Sequence, residues 1–340
     1  MSNPRVIKVG VIGAGRIGKI HAENLATRIP GVEVVAIADP NVAAAKELAE
    51  ELHVSSYSED YRKILDDKSI EAVLICSSTD THARFMTEAA EAGKHIFCEK
   101  PVDHSLEKID AALAAVKKAG VKCQIGFNRR FDPNFKKVRQ MVNEGKVGEV
   151  QILRITSRDP APPPVSYVKV SGGMFLDMTI HDFDMARYLS GSEVVEVYAA
   201  GAVMVDPGIG EAGDIDTAVI TLKFANGSIG TIDNSRKAIY GYDQRVEVFG
   251  SKGMVAVANN TANSSVYSNE DGVVSEKPLY FFLERYMDSF IAELSDFIDA
   301  VRDDKPTPVT ALDGRKPVVI AMAANKSLKE NRSVKLSEIE

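Results

Sequence analysis

The chain has 340 residues, of which 45% are hydrophobic and 26% are charged. This composition is typical of a globular protein with sizeable cores and excludes a disordered or low-complexity chain, and the length favours two domains. The 41 basic and 48 acidic residues give a net charge of −7, which argues against bulk electrostatic binding to nucleic acid or to an anionic membrane.

The three cysteines, Cys76, Cys98 and Cys123, are odd in number and widely separated. They therefore indicate neither a disulfide framework nor a zinc site, and we expect reduced thiols on buried strands. Residues 1–8 are too short and polar for a signal peptide, and no run approaches the roughly 18 apolar residues of a membrane span. The expected location is the cytoplasm, without membrane contact.

A glycine-rich turn lies between a predicted strand and a predicted helix at the start of the chain. Residues 6–12 form an apolar, β-branched run, and a helical pattern covers residues 19–26. Gly13 permits a tight turn, Gly15 lets the backbone approach a pyrophosphate, and Gly18 lets helix and strand pack closely. The N-terminus of the helix then attracts the phosphates. The predicted cofactor-binding residues of this turn are Gly13, Gly15, Arg16, Ile17 and Gly18.

The next predicted strand, residues 32–38, is followed by an acidic residue, Asp39. A carboxylate at this position can accept hydrogen bonds from both ribose hydroxyls of an adenosine and would repel a 2′-phosphate. The following residues, Pro40 and Asn41, supply no arginine that would attract such a phosphate. The sequence therefore favours NAD over NADP.

Predicted strands and helices alternate up to residue 126, which predicts a doubly wound parallel sheet of the α/β Rossmann type. In such sheets the ligand lies beyond the carboxyl ends of the strands. Ser77 and Ser78 follow one predicted strand, and Glu99 and Lys100 follow another, so we expect them at the cofactor. His82 either packs near the cofactor or caps a helix. The predicted strands are 6–12, 32–38, 72–76, 95–98 and 121–126, and the predicted helices are 19–26, 47–52, 61–65, 81–92 and 105–119.

After residue 126 the pattern changes to successive strands that are closed by two helices. Asn226-Gly227, between two of these strands, is typical of a type I′ hairpin. The pattern predicts an α+β domain with a largely antiparallel open sheet. The strands are expected at 150–158, 194–205, 218–224, 228–234 and 245–250, and the closing helices at 280–301 and 314–329.

Asp177, His181 and Asp184 are spaced at i, i+4 and i+7, so a helix that begins near Gly173 would place all three on one face. A solvated polar face is the alternative interpretation. Apolar residues such as Phe183 indicate that the helix packs on its other sides, and the residues alone leave both interpretations open.

Several segments resemble the Gfo/Idh/MocA oxidoreductase family, in the family's order, from about residue 6 to residue 330. They are the glycine-rich turn with Asp39, T-D-T-H at 79–82, E-K-P at 99–101, G-F-N-R-R-F-D-P at 126–133 and G-G-x-x-x-D-x-x-x-H at 172–181. Within the family, residues 158–160 and 240–243 are most similar to bacterial inositol 2-dehydrogenases.

The resemblance implies NAD-dependent oxidation of a secondary alcohol of a cyclic polyol, foremost myo-inositol to 2-keto-myo-inositol (scyllo-inosose). Lys100 would stabilise the developing alkoxide, and the bond from Lys100 to Pro101 would be cis. His181, whose ordinary pKa is near neutral, would accept the hydroxyl proton, and Asp177 would orient His181 or hold a hydroxyl. The expected substrate-binding residues are Lys100, Arg129, Asp159, Asp177, His181, Asp184 and Tyr240.

The resemblance also implies two domains of different function: residues 1–125 bind NAD, and residues 126–340 bind substrate. It further implies an oligomer through the free sheet face, either a dimer or, foremost, a homotetramer. The proline-rich segment 160–164 is either a rigid linker or, as we favour, a loop that shapes a pocket. The five histidines other than His181 show no metal-ligand spacing, so no metal is expected.

Three alternatives remain open at this stage. The substrate could be another inositol isomer or a pyranose sugar. The chain could be an NAD-dependent glycosidase, which would retain its cofactor without net NADH production. It could also be an NAD-binding regulator, although a regulator has no need for the combination of Lys100, Asp177 and His181.

Overall fold

The computed structural model describes residues 5–340, which divide into two compact units. The first unit contains the chain up to Phe131 together with Asp288–Lys316. The second contains Asp132–Met287 and Pro317–Glu340. The chain therefore enters the second unit after Phe131, returns to the first at Asp288 and ends in the second.

The first unit contains a six-stranded parallel sheet in the order β3-β2-β1-β4-β5-β6, which confirms the predicted doubly wound architecture. The strands are β1 (Ile7–Ile12), β2 (Val32–Ala38), β3 (Ser56–Ser58), β4 (Ala72–Ile75), β5 (His95–Cys98) and β6 (Cys123–Ile125). The helices are α1 (Arg16–Thr27), α2 (Val42–Glu51), α3 (Arg62–Asp66), α4 (Thr79–Glu91) and α5 (Leu106–Ala119), and a 3-10 turn follows at Asn128–Phe131. Strands β1, β2, β4 and β5 are apolar along most of their length because helices cover both faces of such a sheet.

The core of the first unit includes side chains from two distant parts of the sequence. Phe97 and the other sheet residues pack with Leu294, Phe297, Ile298 and Val301, which belong to the returning segment. The returning segment therefore supplies part of the apolar surface that stabilises the sheet.

The second unit contains a seven-stranded sheet in the order β12-β11-β7-β10-β9-β8-β15. Its strands are β7 (Val150–Arg158), β8 (Val194–Ala202), β9 (Thr217–Phe224), β10 (Ile229–Ser235), β11 (Asp243–Gly250), β12 (Gly253–Val257) and β15 (Val334–Lys335), and a separate hairpin is formed by β13 (Val266–Asn269) and β14 (Gly272–Ser275). Its helices are α6 (Pro133–Asn143), α7 (Val165–Val168), α8 (Met174–Asp177), α9 (Ile180–Ser190) and α10 (Pro207–Glu211). The last two helices, α11 (Phe282–Arg302) and α12 (Ala311–Glu330), each have residues in both units. The pairs in the large sheet are antiparallel except β7 with β10, so the predicted largely antiparallel sheet is confirmed.

The hairpin between β9 and β10 forms where Asn226-Gly227 predicts it, but the predicted type I′ turn is wrong. A type I′ turn needs positive φ at both central residues. Gly227 has φ of +87°, whereas Asn226 is not among the non-glycine residues with positive φ in the described part of the chain. The N–H of Gly227 donates to the carbonyl of Phe224 at 3.0 Å, which fits a longer turn that ends in a left-handed glycine.

All three cysteines are free and buried, as predicted. Burial raises the pKa of the Cys123 thiol to about 12. Within residues 5–340, none of the helices combines the length and the apolar character needed to span a lipid bilayer.

Candidate active site

The glycine-rich turn connects β1 to α1, and its three glycines have different surroundings. Gly13 has φ of +108°, and a Cβ on it would lie 2.5 Å from the carbonyl oxygen of Cys76. A Cβ on Gly18 would overlap the carbonyl oxygen of Gly13, so close packing requires both glycines. A Cβ on Gly15 would meet no atom within 4 Å, which leaves its backbone open to a ligand. This arrangement is the one that a pyrophosphate-binding turn needs.

Asp39 follows β2, and its carboxylate holds the turn in place. Its Oδ2 accepts a hydrogen bond from the N–H of Ala14 at 2.7 Å, and its Oδ1 accepts one from the N–H of Asn41 at 2.8 Å. Asp39 lines a cavity of about 570 Å³ within the first unit. A carboxylate oxygen can accept more than one hydrogen bond, so both oxygens can still accept a ribose hydroxyl.

Two arginines that sequence reasoning did not single out also line this cavity, Arg62 on α3 and Arg84 on α4. The guanidinium of Arg62 lies 5.0 Å from the ring centroid of Tyr61, and that of Arg84 lies 4.9 Å from the centroid of Phe85. Both arginines are far from Asp39 in the sequence, so the residues next to Asp39 do not indicate them. Because these positive charges would attract a 2′-phosphate, the expected preference for NAD depends on Asp39 itself.

The segment after β4 forms a further part of the cavity wall through Ser77, Ser78 and Thr81. The hydroxyls of Ser77 and Thr81 lie 2.7 Å apart. His82 is buried, with Nδ1 2.8 Å from the carbonyl oxygen of Pro101 and Nε2 2.9 Å from that of Ser77. Burial lowers the pKa of His82 despite these two carbonyls. The imidazole therefore connects the segment after β4 to the segment after β5.

Glu99 and Lys100 follow β5 directly, as predicted. The N–H of Lys100 donates to Glu99 Oε2 at 3.2 Å, and Glu99 Oε1 lies 2.7 Å from His21 Nε2. The bond between Lys100 and Pro101 is cis, as the family resemblance implied. Lys100 itself is half-buried, and Arg129, in the 3-10 turn after β6, is buried.

In the second unit, Asp177, His181 and Asp184 do not lie on one continuous helix, so this prediction is wrong. Helix α8 ends at Asp177, and α9 begins at Ile180. The N–H of Thr179 donates to the carbonyl of Met174, five residues back, which interrupts the regular ladder. The Thr179 hydroxyl, which lies in the break, donates to the buried Asn234 Oδ1 of β10 at 2.7 Å.

Asp177 is held by two residues that sequence reasoning missed. The buried Arg236 donates from Nη2 to Asp177 Oδ2 at 2.8 Å and from Nη1 to Asp159 Oδ2 at 3.4 Å. Tyr167, on the helix that the proline-rich segment 160–164 leads into, donates its hydroxyl hydrogen to Asp177 Oδ1 at 2.8 Å. Burial lowers the pKa of Arg236, but the charges of Asp177 and Asp159 outweigh this effect, so the pKa is raised.

The other proposed substrate contacts of the second unit differ in exposure. His181 is half-buried at the start of α9, whereas Asp184 is buried, with Oδ1 3.7 Å from Arg187 Nη1. Tyr240 has an exposed fraction of 39%, and its hydroxyl donates to Asp243 Oδ2 at 2.6 Å. Burial and this hydrogen bond raise the pKa of Tyr240.

The structure thus groups the predicted residues by unit. The glycine-rich turn, Asp39, Ser77, Ser78, His82, Glu99, Lys100 and Arg129 belong to the first, and Asp159, Asp177, His181, Asp184 and Tyr240 belong to the second. A parallel sheet with this turn and this acidic residue defines a dinucleotide-binding protein.

The chain belongs to the Gfo/Idh/MocA oxidoreductase family. Residues 7–127 match the model of the oxidoreductase family with an NAD-binding Rossmann fold, and residues 135–256 match that of the GFO/IDH/MocA C-terminal domain. The first unit is therefore an NAD-binding Rossmann domain.

Comparison with known proteins shows similarity over almost the whole chain. The chain is 51% identical to myo-inositol 2-dehydrogenase of Thermotoga maritima, covering 98% of this chain and 99% of that one. It is 44% identical to inositol 2-dehydrogenase of Rhizobium meliloti, covering 97% and 99%. Among solved structures, scyllo-inositol dehydrogenase from Lactobacillus casei with bound NAD(H) and scyllo-inositol is 32% identical, with a TM-score of 0.91 and coverage of 98% and 100%.

Proposed function

We propose that this protein is an NAD-dependent dehydrogenase that oxidises myo-inositol to 2-keto-myo-inositol (scyllo-inosose). The observation that carries the proposal is the pair of carboxylates, Asp159 and Asp177, that the buried Arg236 holds in the second unit. Fixed carboxylates are suitable acceptors for the several hydroxyls of a polyol. The names of the Thermotoga and Rhizobium relatives support the same substrate.

The proposed reaction removes a hydride from a carbinol carbon and a proton from its hydroxyl. NAD, when bound, accepts the hydride. His181 accepts the proton, because an imidazole has an ordinary pKa near neutrality. The ammonium of Lys100 stabilises the negative charge that develops on the oxygen. Asp177, with both oxygens engaged by Tyr167 and Arg236, holds a neighbouring hydroxyl or orients His181.

A polyol fits the second unit better than a 2-hydroxy acid does, because an acid would need an arginine clamp for its carboxylate. The candidate for such a clamp, Arg158, already donates from Nε to Asp233 Oδ1 at 2.7 Å and from Nη1 to the Tyr240 hydroxyl at 3.2 Å. Asp184 and Arg129 are further proposed substrate contacts. Another inositol isomer or a pyranose sugar is the second candidate substrate, since epimers differ by small shifts of the same contacts.

The test is a steady-state assay of NAD reduction with inositols, pyranose sugars, linear polyols and 2-hydroxy acids. We expect the inositols to give kcat/KM values at least about tenfold above those of linear polyols and hydroxy acids, because analogues that lack hydroxyls leave buried polar groups unpaired. A preference for a hydroxy acid would contradict the proposed substrate. Tightly retained NAD with glycoside cleavage and no net NADH would indicate a glycosidase, and NAD binding without any turnover would indicate a regulator.

The cofactor preference is expected to depend on Asp39. We expect kcat/KM to favour NAD over NADP by at least tenfold, or about 1.4 kcal/mol, because the carboxylate repels a 2′-phosphate. Asp39→Ser removes this charge while Arg62 and Arg84 remain, so the preference should shrink. Parallel kinetics with both cofactors measure it, and equal use of both by the unmodified protein would disprove the role of Asp39.

We also propose that residues 1–125 bind NAD and that residues 126–340 bind substrate and form a homotetramer in the cytoplasm. The open sheet of the second unit supports the assembly, because Val219, Ile229, Phe249 and Met254 are large apolar residues with exposed side chains on its strands. Light scattering after size exclusion should give four times the mass of the chain, and a monomer at micromolar concentration would refute the assembly.

A further inference from the structure

Three titratable side chains meet in the interior of the first unit, and the proposed reaction uses none of them directly. His21 lies on α1, Glu99 follows β5, and Glu293 lies on α11, with ligand atoms all within 4.8 Å of one another. His21 and Glu293 are fully buried, and Glu99 has an exposed fraction of 9%. The imidazole packs edge-on against Phe97 and Phe290, with ring centroids 5.2 and 5.6 Å away. We call this group the His21–Glu99–Glu293 cluster.

Among the described residues, the carboxylate of Glu99 has hydrogen-bond partners, whereas the carboxyl group of Glu293 has none. Glu99 has one oxygen 2.7 Å from His21 Nε2 and the other 3.2 Å from the N–H of Lys100. Within residues 5–340, the carboxyl oxygens of Glu293 and the Nδ1 of His21 have no hydrogen-bond partner. A negative charge on Glu293 would therefore be buried without compensation.

The contacts determine where the protons of the cluster belong. Two neighbouring carboxylates in an apolar interior cannot both be ionised without a large cost. Burial and the nearby charge of Glu99 hold the pKa of Glu293 well above its usual range. His21 Nε2 lies 2.7 Å from Glu99 Oε1, and no side chain of the cluster other than Glu99 is within hydrogen-bonding contact of His21.

A metal ion would use the same ligand atoms but fits the geometry less well. Two zinc ligands, each about 2.0–2.2 Å from the ion at a tetrahedral angle, lie more than about 3 Å apart. His21 Nε2 and Glu99 Oε1 are instead separated by a hydrogen-bond distance of 2.7 Å. A zinc-bound histidine also normally donates its second N–H to an acceptor, and His21 Nδ1 has none among the described residues.

The charge of Glu99 acts on the backbone that carries a proposed catalytic residue. Its Oε2 accepts the N–H of Lys100, and a Cβ on Gly126 would lie 2.9 Å from its Oε1, so the carboxylate has little room to move on that side. Repulsion from an ionised Glu293 would push Glu99 away from these contacts. The other titratable groups around the cluster are Cys76 after β4, Cys98 on β5, His82 on α4 and Lys100.

The three neighbours other than Lys100 do not supply a compensating positive charge. Burial raises the pKa of the Cys76 and Cys98 thiols, which therefore remain neutral. Burial lowers the pKa of His82, which favours the neutral imidazole at neutral pH. Burial and the charge of Glu99 are the effects that raise the pKa of Glu293, and both favour its protonated form.

We propose that Glu293 is a positioning residue that stays protonated, so that Glu99 alone carries the charge of the cluster and holds the backbone of Lys100 in place for catalysis. The catalytic part of this inference rests on the proposed dehydrogenase function. The protonation of Glu293 does not depend on that function and can be measured separately.

Infrared difference spectroscopy of the full chain tests the protonation directly. The wild-type protein should show the carbonyl stretch of a protonated carboxylic acid at neutral pH, and this band should be absent from Glu293→Gln. The matched control is Glu107→Gln, which changes an exposed glutamate on α5 and should keep the band. Absence of the band from the wild-type protein would overturn the inference.

Thermal unfolding provides a second measure of the same proton. The folded state binds the Glu293 proton more tightly than the unfolded chain, whose carboxyl pKa is about 4.3, so the wild type loses stability as pH rises above that value towards the folded pKa. Glu293→Gln has no proton to lose. Its Tm relative to wild type should therefore rise with pH from about pH 5 upward, and a difference that does not change with pH would contradict the inference.

Kinetics test the positioning role. Glu293→Ala and Glu99→Gln should each lower kcat at least about tenfold through displacement of Lys100, and Glu293→Gln, a neutral isostere of the acid, should recover most of the loss. A glutamine variant as slow as the alanine variant, or stoichiometric zinc that is lost in Glu293→Gln, would overturn the inference. Failure of every substrate in the wild-type assay would instead refute the proposed function, while the infrared result would still decide the protonation.

Discussion

Replacement of Lys100 or His181 with alanine is expected to lower kcat by about 10²-fold or more while NAD affinity is largely kept. Lys100→Ala removes the cation that stabilises the alkoxide, and His181→Ala removes the base that accepts the hydroxyl proton. Stopped-flow and steady-state kinetics with an inositol measure the loss in kcat, and isothermal titration calorimetry measures NAD binding.

The matched control for this experiment is Lys108→Ala. Lys108 lies on the exposed face of α5 and pairs with Asp103 at 3.7 Å, so its removal should change neither kcat nor NAD affinity by more than about twofold. Near-normal turnover by both Lys100→Ala and His181→Ala would show that the active site is assigned wrongly.

Arg236→Met is expected to impair both stability and catalysis. The substitution keeps an apolar stem but leaves Asp177 and Asp159 without the cation that lies between them, which should cost about 3 kcal/mol in the free energy of unfolding. Because Arg236 also fixes the orientation of Asp177, kcat/KM for the inositol should fall at least about 30-fold. Urea unfolding and steady-state kinetics measure the two effects.

Two further variants serve as a partial rescue of Arg236→Met and as its control. Arg236→Lys restores the charge without the planar fork and should recover part of the stability and less of kcat/KM. Arg154→Met removes an exposed arginine of β7 whose Nη1 lies 3.5 Å from Glu247 Oε1, and it should change stability by less than about 0.5 kcal/mol. Wild-type kcat/KM in folded Arg236→Met would mean that the two carboxylates do not depend on this residue.

The local signals of the first unit made most of its architecture predictable. The six residues of the glycine-rich turn include the glycines that close packing requires and lead into the helix N-terminus that attracts phosphates. Long apolar runs distinguish the strands from the amphipathic helices. Short elements without such a run escaped prediction. Strand β3, three residues long with a single buried side chain, and the exposed hairpin of β13 and β14 have too little apolar periodicity to be recognised.

Helix α6 is not among the predicted elements, although the sequence contains a signal for its start. Asp132 accepts hydrogen bonds from the N–H groups of Asn134 and Phe135, and Pro133 occupies the first turn. Helix α2 similarly begins before the predicted residue 47, because Asn41 caps it. Capping residues, rather than apolar periodicity, mark the starts of both helices.

The site residues that sequence reasoning missed depend on strand pairing. Strand β10 pairs in parallel with β7, and its last residue, Ser235, lies opposite Arg158. Arg236 is the next residue after Ser235. Arg236 therefore lies beside Asp159, a contact that a purely antiparallel sheet does not predict. Thr179, which lies in the break between α8 and α9, likewise contacts β10 through its hydrogen bond to Asn234.

The return of the chain to the first unit has a consequence for biosynthesis. On a ribosome, the first 131 residues emerge with all six strands of the parallel sheet, but without Leu294, Phe297, Ile298 and Val301 of its core. Part of the apolar surface of the nascent sheet therefore stays exposed until more than 150 further residues have been translated. Fragments that end at residue 131 should consequently aggregate, and successful expression of this domain alone would require the segment 288–316 to be joined to it.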